Sequence, residues 1–158
     1  MSTQSDQSLR EAPRRFDEPL DGTALPRWWV FDVDGCLVDS LIGTSLRPLA
    51  RDLLEHLAAQ GCETIWWSAG GQPHARARAE RFGVDHLVTR FCEKDERDLD
   101  RRYATRHLGV DLEAAIFVDD RPEDMPVGAQ VIAVAPYLVE NPRDRGLAAA
   151  SLRAGLTI

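Results

Sequence analysis

Asp32-Val33-Asp34-Gly35 sets two carboxylates two residues apart, directly after the apolar run Trp28-Trp29-Val30-Phe31. Both side chains can turn into one pocket as the chain begins to bend, and Gly35 lets the backbone take an unusual conformation there. Asp119, Asp120 and Asp124 add three carboxylates at and beyond a second apolar run, residues 114–118. So many negative charges in one crevice repel unless a cation sits among them. Hard oxygen ligands favour Mg²⁺, which keeps several waters and leaves positions open to a phosphate oxygen. A divalent ion beside a carboxylate suits phosphoryl transfer. One aspartate attacks phosphorus; a second protonates the leaving oxygen and then activates water. The remaining charge on the phosphoryl group calls for hydrogen-bond donors. Ser68 follows an apolar run and precedes a Gly-Gly pair and a helix start, so its hydroxyl can face an anion. Lys94 follows a third strand candidate and can reach the same crevice.

These groups meet only if the chain between them forms the right elements. Residues 28–31 form a short continuous apolar run, suited to a strand buried on both faces. Residues 48–60 carry apolar side chains at helical spacing (Leu49, Leu53, Leu57 and Ala50, Leu54, Ala58), with Pro48 suited to the first turn and Gly61 to the end. Residues 63–67 predict a second strand, 73–82 a helix, 86–91 a third strand and 96–108 a charged helix. Residues 114–118 and 130–134 predict the fourth and fifth strands, and 143–153 a last helix. This alternation implies an α/β fold, a three-layer Rossmann-like sandwich around a mainly parallel five-stranded sheet. Ligands in such sheets sit beyond the carboxyl ends of the strands. The first and fourth strands must then be neighbours for the aspartates to meet.

The chain has 158 residues, 44% hydrophobic and 28% charged, an ordinary balance for one domain with a core. Residues 1–25 are polar, with no apolar periodicity, and predict a flexible lead-in; residues 26–158 predict the single folded domain. No stretch approaches the roughly eighteen apolar residues that span a membrane, and the first residues lack the apolar core of a signal peptide. The expectation is a cytoplasmic protein. Cys36, Cys62 and Cys92 are an odd number without C-x-x-C spacing, which argues against a disulfide framework and against zinc. The net charge of −7 draws no nucleic acid by its overall field, though a local basic patch can still act. Of the 19 basic residues only Lys94 is a lysine.

The run WWVFDVDGCLVDS resembles the first motif of the haloacid dehalogenase-like hydrolases, D-x-D-G-x-L-x-D-S. IWWSAG is similar to their second motif, an apolar strand ending in Ser or Thr. Lys94 stands close to where the family has its third-motif lysine, and AIFVDDRPED resembles the fourth, an apolar strand ending in paired acidic residues. The four come in order and span residues 28–124. The resemblance implies Asp32 as nucleophile and metal ligand. It implies Asp34 as general acid/base, with its backbone carbonyl on the metal. Ser68 and Lys94 would bind the phosphoryl group; Asp120 would be the direct fourth-motif ligand, with Asp119 and Asp124 supporting it. An aspartate at position 34 fits the family's phosphatases and mutases rather than its dehalogenases. Two departures stand out. Cys36 follows Gly35 where threonine is more usual, and Lys94 lacks the proline that often follows it, so that Arg97, Arg101 or Arg102 could stand in.

The family's cap domains are inserted between the first and second motifs or between the second and third. Residues 40–63 leave room for a flap and one helix, and residues 69–94 for one helix and a strand, so the resemblance is to the capless branch. It implies a Mg²⁺-dependent phosphomonoesterase acting through an aspartyl-phosphate on a large or exposed phosphoester, such as a nucleic-acid end or a phosphoprotein. The alternatives are a small-metabolite phosphatase closed by oligomerisation, a phosphotransferase to an alcohol, and a non-catalytic phosphate-binding module. The Asp32/Asp34 pair speaks against the last, since binding alone needs no acid/base. Several residues carry plainer readings. Asp124 can cap or pair with Arg121. Arg76, Arg78 and Arg81 could form a basic face near the pocket but, interrupted by Glu80, read rather as a solvated helix face; His74, just after Gly70-Gly71, could touch substrate but reads rather as incidental. The tryptophans and cysteines read as packing.

Overall fold

The computed structural model describes residues 24–158. The expected flexible segment, residues 1–25, lies outside these but for its last two positions. The strands β1 (Trp28–Asp32), β2 (Glu63–Ser68), β3 (Arg90–Glu93), β4 (Ala115–Asp119) and β5 (Val131–Ala133) form one parallel sheet in the order β3-β2-β1-β4-β5. The chain winds outward from β1 through β2 to β3, then returns to the other side of β1 for β4 and β5. The reversal falls between β1 and β4, and a crevice opens at such a point beyond the strand ends.

Alternation along each strand sends neighbouring side chains to opposite faces. On one face Trp29, Phe31, Trp66, Ile116 and Val118 pack against helices α1 (Ala50–Ala59), α2 (Gln72–Arg81) and α4 (Ala148–Arg153), through Leu53, Leu54, Leu57, Ala75, Ala79 and Ala150. On the other, Val30, Ile65, Trp67 and Phe117 meet Leu108 of helix α3 (Arg101–Leu108), with Leu112 and Met125. Each fully buried side chain of this size contributes about 2–3 kcal/mol. The reading of the tryptophans as packing holds for Trp29, Trp66 and Trp67, all buried. The three cysteines are free thiols, with Cys36 buried and Cys62 and Cys92 partly so. No helix of the described residues is long and apolar enough to cross a membrane.

Three elements depart from expectation, each because a polar side chain captures the backbone. The third strand is expected at 86–91 but runs from Arg90 to Glu93, after a 3₁₀ turn at Asp85–Leu87. Ahead of it, the Thr64 hydroxyl donates to the Leu87 carbonyl (2.9 Å) and the Thr64 N–H to Thr89 Oγ1 (3.1 Å). The helix expected over 96–108 is split into a 3₁₀ turn, Glu96–Leu99, and α3. Asp95 and Asp98 form a reciprocal capping box, then Asp100 accepts from the Tyr103 N–H (2.9 Å) and starts a second helix. The last helix begins at Ala148 rather than 143, because the Asp144 carboxylate accepts from the Gly146 N–H (2.9 Å) and holds a turn there.

Among the described residues, the chain between β1 and β2 holds a short flap and α1, and that between β2 and β3 holds α2 and the 3₁₀ turn. The flap has its own framework. Val38 bridges to Asp34 on one side and Leu46 on the other. The buried Asp39 carboxylate accepts from the N–H groups of Ile42 (3.2 Å), Gly43 (2.8 Å) and Ser45 (2.7 Å). Burial pushes that carboxyl up, but these backbone donors outweigh it and hold it below the ordinary carboxylate range.

Candidate active site

Asp32 ends β1, Ser68 ends β2, Asp119 ends β4, and Lys94 follows β3, so four parallel strands deliver their last side chains to one edge. Because β1 lies between β2 and β4, Asp32 stands at the centre. A cleft of about 270 Å³ opens there, lined by Asp32, Asp34, Ser68, Lys94, Asp120 and Asp124 among others. Asp119 lies behind it, almost fully buried. All seven residues singled out in the sequence thus come together.

Lys94 Nζ donates to Asp32 Oδ1 (3.1 Å) and to Asp119 Oδ2 (2.9 Å), and rests 4.5 Å from the centroid of the Trp67 ring. Burial pushes this ammonium down, but the two carboxylates together outweigh it and raise it above an ordinary lysine. Arg97 pairs instead with Asp95 (2.7 Å), and Arg101 turns to Glu113. Ser68 Oγ accepts from the Gly70 N–H (3.0 Å), which leaves its proton free for an acceptor in the cleft. Asp124 is half-exposed and pairs with Arg121 (3.0 Å), while still lining the cleft.

Oxygens of Asp32, Asp119 and Asp120 lie within 4.8 Å of one another. Burial first, and then the charge of Asp119, push the Asp32 carboxyl up to about 8, against the pull of Lys94. A carboxylate in that setting gains from a nearby cation. The neighbours show where a cation fits. Both Asp119 oxygens are taken, Oδ2 by Lys94 and Oδ1 by the Arg121 N–H (2.7 Å). Asp120 Oδ1, by contrast, is buried and accepts no hydrogen bond among the described residues. A buried, unpaired carboxylate oxygen is costly unless a cation meets it, so the donor set fits a hard divalent ion such as Mg²⁺. Gly35, at φ +84°, keeps its space open: a Cβ there would lie 3.0 Å from Asp120 Oδ2.

Two residues for which the sequence favours the plainer reading do more. His74 reads there as incidental, yet its Nε2 lies 2.7 Å from Asp34 Oδ2. Arg78 reads as part of a solvated face, yet it turns inward, 3.7 Å from Asp34 Oδ1 and donating to the Gly43 carbonyl at 3.2 Å. Their four-residue spacing on one helix was the available signal. Nothing local says that this face of α2 meets the turn after β1.

The family profile described as NLI interacting factor-like phosphatase matches residues 21–154. No curated protein matches the sequence. Among solved structures, a haloacid dehalogenase-like family hydrolase from Xanthomonas campestris superposes with a TM-score of 0.60 at 15% identity, covering 87% of this chain and 92% of its own. A haloacid dehalogenase-like family hydrolase from Streptococcus pneumoniae gives 0.59 at 16% identity, covering 72% and 87%. The N-terminal part of a Bacteroides fragilis protein, containing a phosphatase domain and complexed with Mg, gives 0.59 at 14% identity, covering 82% of this chain and 40% of that one. At these identities the likeness is one of fold.

Proposed function

The chain belongs to the NLI interacting factor-like phosphatase family, among the haloacid dehalogenase-like hydrolases, and on that premise we propose that it is a Mg²⁺-dependent phosphomonoesterase working through an aspartyl-phosphate on Asp32. The observation that carries this reading is the junction of Asp32, Asp34, Asp120, Ser68 and Lys94 around one cleft. Residues 26–158 act as one catalytic unit, in the cytoplasm.

Asp32, the Asp34 backbone carbonyl and Asp120 would hold the ion, with Asp119 and Asp124 supporting them. Bound Mg²⁺ would supply Lewis-acid charge that draws electrons from phosphorus. A free oxygen of Asp32 bonds to phosphorus as the ester P–O bond breaks, and Asp34 gives its proton to the departing oxygen. In the second half Asp34 takes a proton from a water, whose oxygen bonds to phosphorus and frees the Asp32 carboxylate. The Ser68 hydroxyl and the third N–H of Lys94 donate to the phosphoryl oxygens throughout.

The cleft is open, and its rim suggests a large substrate. Leu41 and Ile42 at the flap tip, with Leu138 and Val139 beside them, are half or more exposed. The Leu41 N–H donates to the Leu138 carbonyl (3.1 Å), so the two pairs form one apolar ledge. With a net charge of −7, this ledge favours a phosphoprotein over a nucleic-acid end. The same ledge also supports the second reading, a small-metabolite phosphatase whose site is covered by another copy of the chain.

The test compares kcat/KM on phosphopeptides, phosphate-ended oligonucleotides and small phosphoesters, with the oligomeric state measured by light scattering. A monomer that prefers a large substrate is expected. A monomer with high, selective kcat/KM for a small metabolite overturns the substrate reading. Acid quenching during turnover of ³²P-labelled substrate is expected to leave hydroxylamine-labile label on the protein. Absence of that label at every time point overturns the aspartyl-phosphate.

A further inference from the structure

We infer that His74 and Arg78, one turn apart on α2, are positioning residues for Asp34: they hold its carboxyl toward the leaving-group oxygen. This rests on the reading of Asp34 as the acid/base of the cleft.

Asp34 shares the cleft with Asp32 and Asp120, and its side chain is about one-third exposed. An unsupported carboxyl so placed is driven outward, because two like charges repel it and water is close by. Two contacts oppose that movement. His74 Nε2 fixes Oδ2 at 2.7 Å, and the Arg78 guanidinium stands 3.7 Å from Oδ1. Oδ1 makes no hydrogen bond among the described residues, so it is the oxygen left for a substrate. Arg78 is itself anchored, since its Nη1 donates to the Gly43 carbonyl at 3.2 Å. One helix thereby grips both the acid/base and the flap above it.

The chain also makes room for this grip. A Cβ on Gly70 would lie 2.7 Å from His74 Cδ2, so only glycine there lets the imidazole lie back over the loop between Ser68 and α2. Gly70 donates its N–H to Ser68 Oγ (3.0 Å), so His74 lies beside the phosphoryl-binding turn while it holds the acid/base. In the first half-reaction the Asp34 proton passes to the ester oxygen as the P–O bond breaks and the Asp32–P bond forms. A carboxyl displaced by even about 1 Å loses much of that assistance.

Positioning of an acid has a signature that general loosening lacks. A leaving group that departs easily needs little protonation; a basic one needs much. The experiment measures kcat/KM, which reports the first half-reaction, on 4-nitrophenyl phosphate and on phenyl phosphate for His74→Ala, His74→Gln, Arg78→Ala, Asp34→Asn and Arg76→Ala. Arg76 lies on the same helix but stacks on Phe91, 4.6 Å from its ring centroid, and serves as the control.

His74→Ala is expected to lower kcat/KM for phenyl phosphate at least about tenfold more than for 4-nitrophenyl phosphate. His74→Gln, which keeps a donor near Nε2, should restore most of the loss. Arg78→Ala should show a weaker form of the same pattern, and Arg76→Ala a change of less than about twofold. Equal losses of both substrates in His74→Ala, or the same pattern in Arg76→Ala, overturn the inference. If Asp34→Asn shows strong leaving-group dependence while His74→Ala shows none, the acid stands and the positioning falls. If Asp34→Asn shows none, the acid/base reading fails and the positioning fails with it.

Discussion

At the base of the flap the Arg47 guanidinium is fully buried, and each of its nitrogens has a partner. Nε and Nη2 donate to the two Asp144 oxygens (2.6 and 3.2 Å), Nη2 also to the Ala135 carbonyl (2.7 Å), and Nη1 to the Cys36 carbonyl (3.2 Å). Tyr137 lies against its face, with its ring centroid 5.2 Å from Cζ. At the end of β1 three carboxylates lie within 4.8 Å of one another beside one ammonium, and among the described residues the buried Asp120 Oδ1 accepts no hydrogen bond. Both regions take charge out of water. The first gives every guanidinium nitrogen an acceptor, and so ties the flap to the segment after β5. The second leaves charge and an acceptor unmatched, which stability alone does not favour and which a cation and a phosphoryl group can complete. Buried charge that is satisfied holds the fold; buried charge that is left open marks the chemistry.

The largest effect that can break this contrast is at Asp32. Asp32→Asn keeps the shape and removes the attacking oxygen's charge, so kcat should fall at least about 10,000-fold. Near-normal turnover in the folded variant would contradict the nucleophile. The contrast adds a second readout. Burial makes the Asp32 charge unfavourable without metal, so the metal-free variant should be more stable than the parent, by about 1 kcal/mol or about 3 °C in Tm. A lowered Tm would mean that the charge is already compensated.

Arg47→Met should do the reverse. It leaves Asp144 and two carbonyls without their donor, and breaking a buried pair in this way costs about 3 kcal/mol or more. For a domain of this size that is about 10 °C in Tm. The folded fraction should keep its Mg²⁺ requirement. An unchanged Tm would show that the Arg47 network is ornamental.

The two regions also differ in how far the sequence reveals them. Asp32, Ser68 and Asp119 end apolar strands, so their meeting follows once the strands are parallel and β1 and β4 adjacent. Lys94 needed only to follow β3, and did, although the start of that strand was misplaced because Thr64 and Thr89 bind the approaching backbone. Arg47 offers no such signal. Its partner Asp144 is 97 residues away, and nothing local distinguishes it from the other arginines. His74 and Arg78 are the intermediate case: their helix is legible, but the face it turns to Asp34 is set by packing. The break at Asp100 was legible in principle. Asp95 and Asp100 are both capping residues, and two caps five apart start two helices.

A smaller effect sharpens the metal assignment. Asp120 has an open buried oxygen, whereas Asp124 is half-exposed and paired with Arg121. Asp120→Ala should raise the Mg²⁺ concentration for half-maximal activity at least roughly tenfold, and Asp124→Ala by clearly less. The reverse order would mean that the ligand and the supporting residue have been exchanged.

The smallest effect is a pair of slopes, and it tests both regions together in metal-free protein. Asp32 is raised in the folded state, from 3.8 to about 8, by burial and by Asp119. The folded form then holds a proton that the unfolded chain has already lost, so this group's contribution to stability falls as pH rises through that window. Asp144 is shifted the other way. Burial pushes it up, but the Arg47 guanidinium and the Gly146 N–H outweigh burial and hold it below the ordinary carboxylate range. Its contribution is present above the unfolded value of 3.8 and is lost as pH falls through the lower folded value. The two variants should therefore diverge from the parent in opposite senses. In urea unfolding with EDTA, Asp32→Asn should match the parent near pH 4 and become progressively the more stable toward pH 8. Asp144→Asn should be the less stable at neutral pH, with the gap closing only below the ordinary carboxylate range. Parallel curves for all three proteins would remove the physical basis of the contrast, since neither charge would then feel its surroundings. Added Mg²⁺ should flatten the Asp32 slope and leave that of Asp144 alone, because only the first region has a place for the ion.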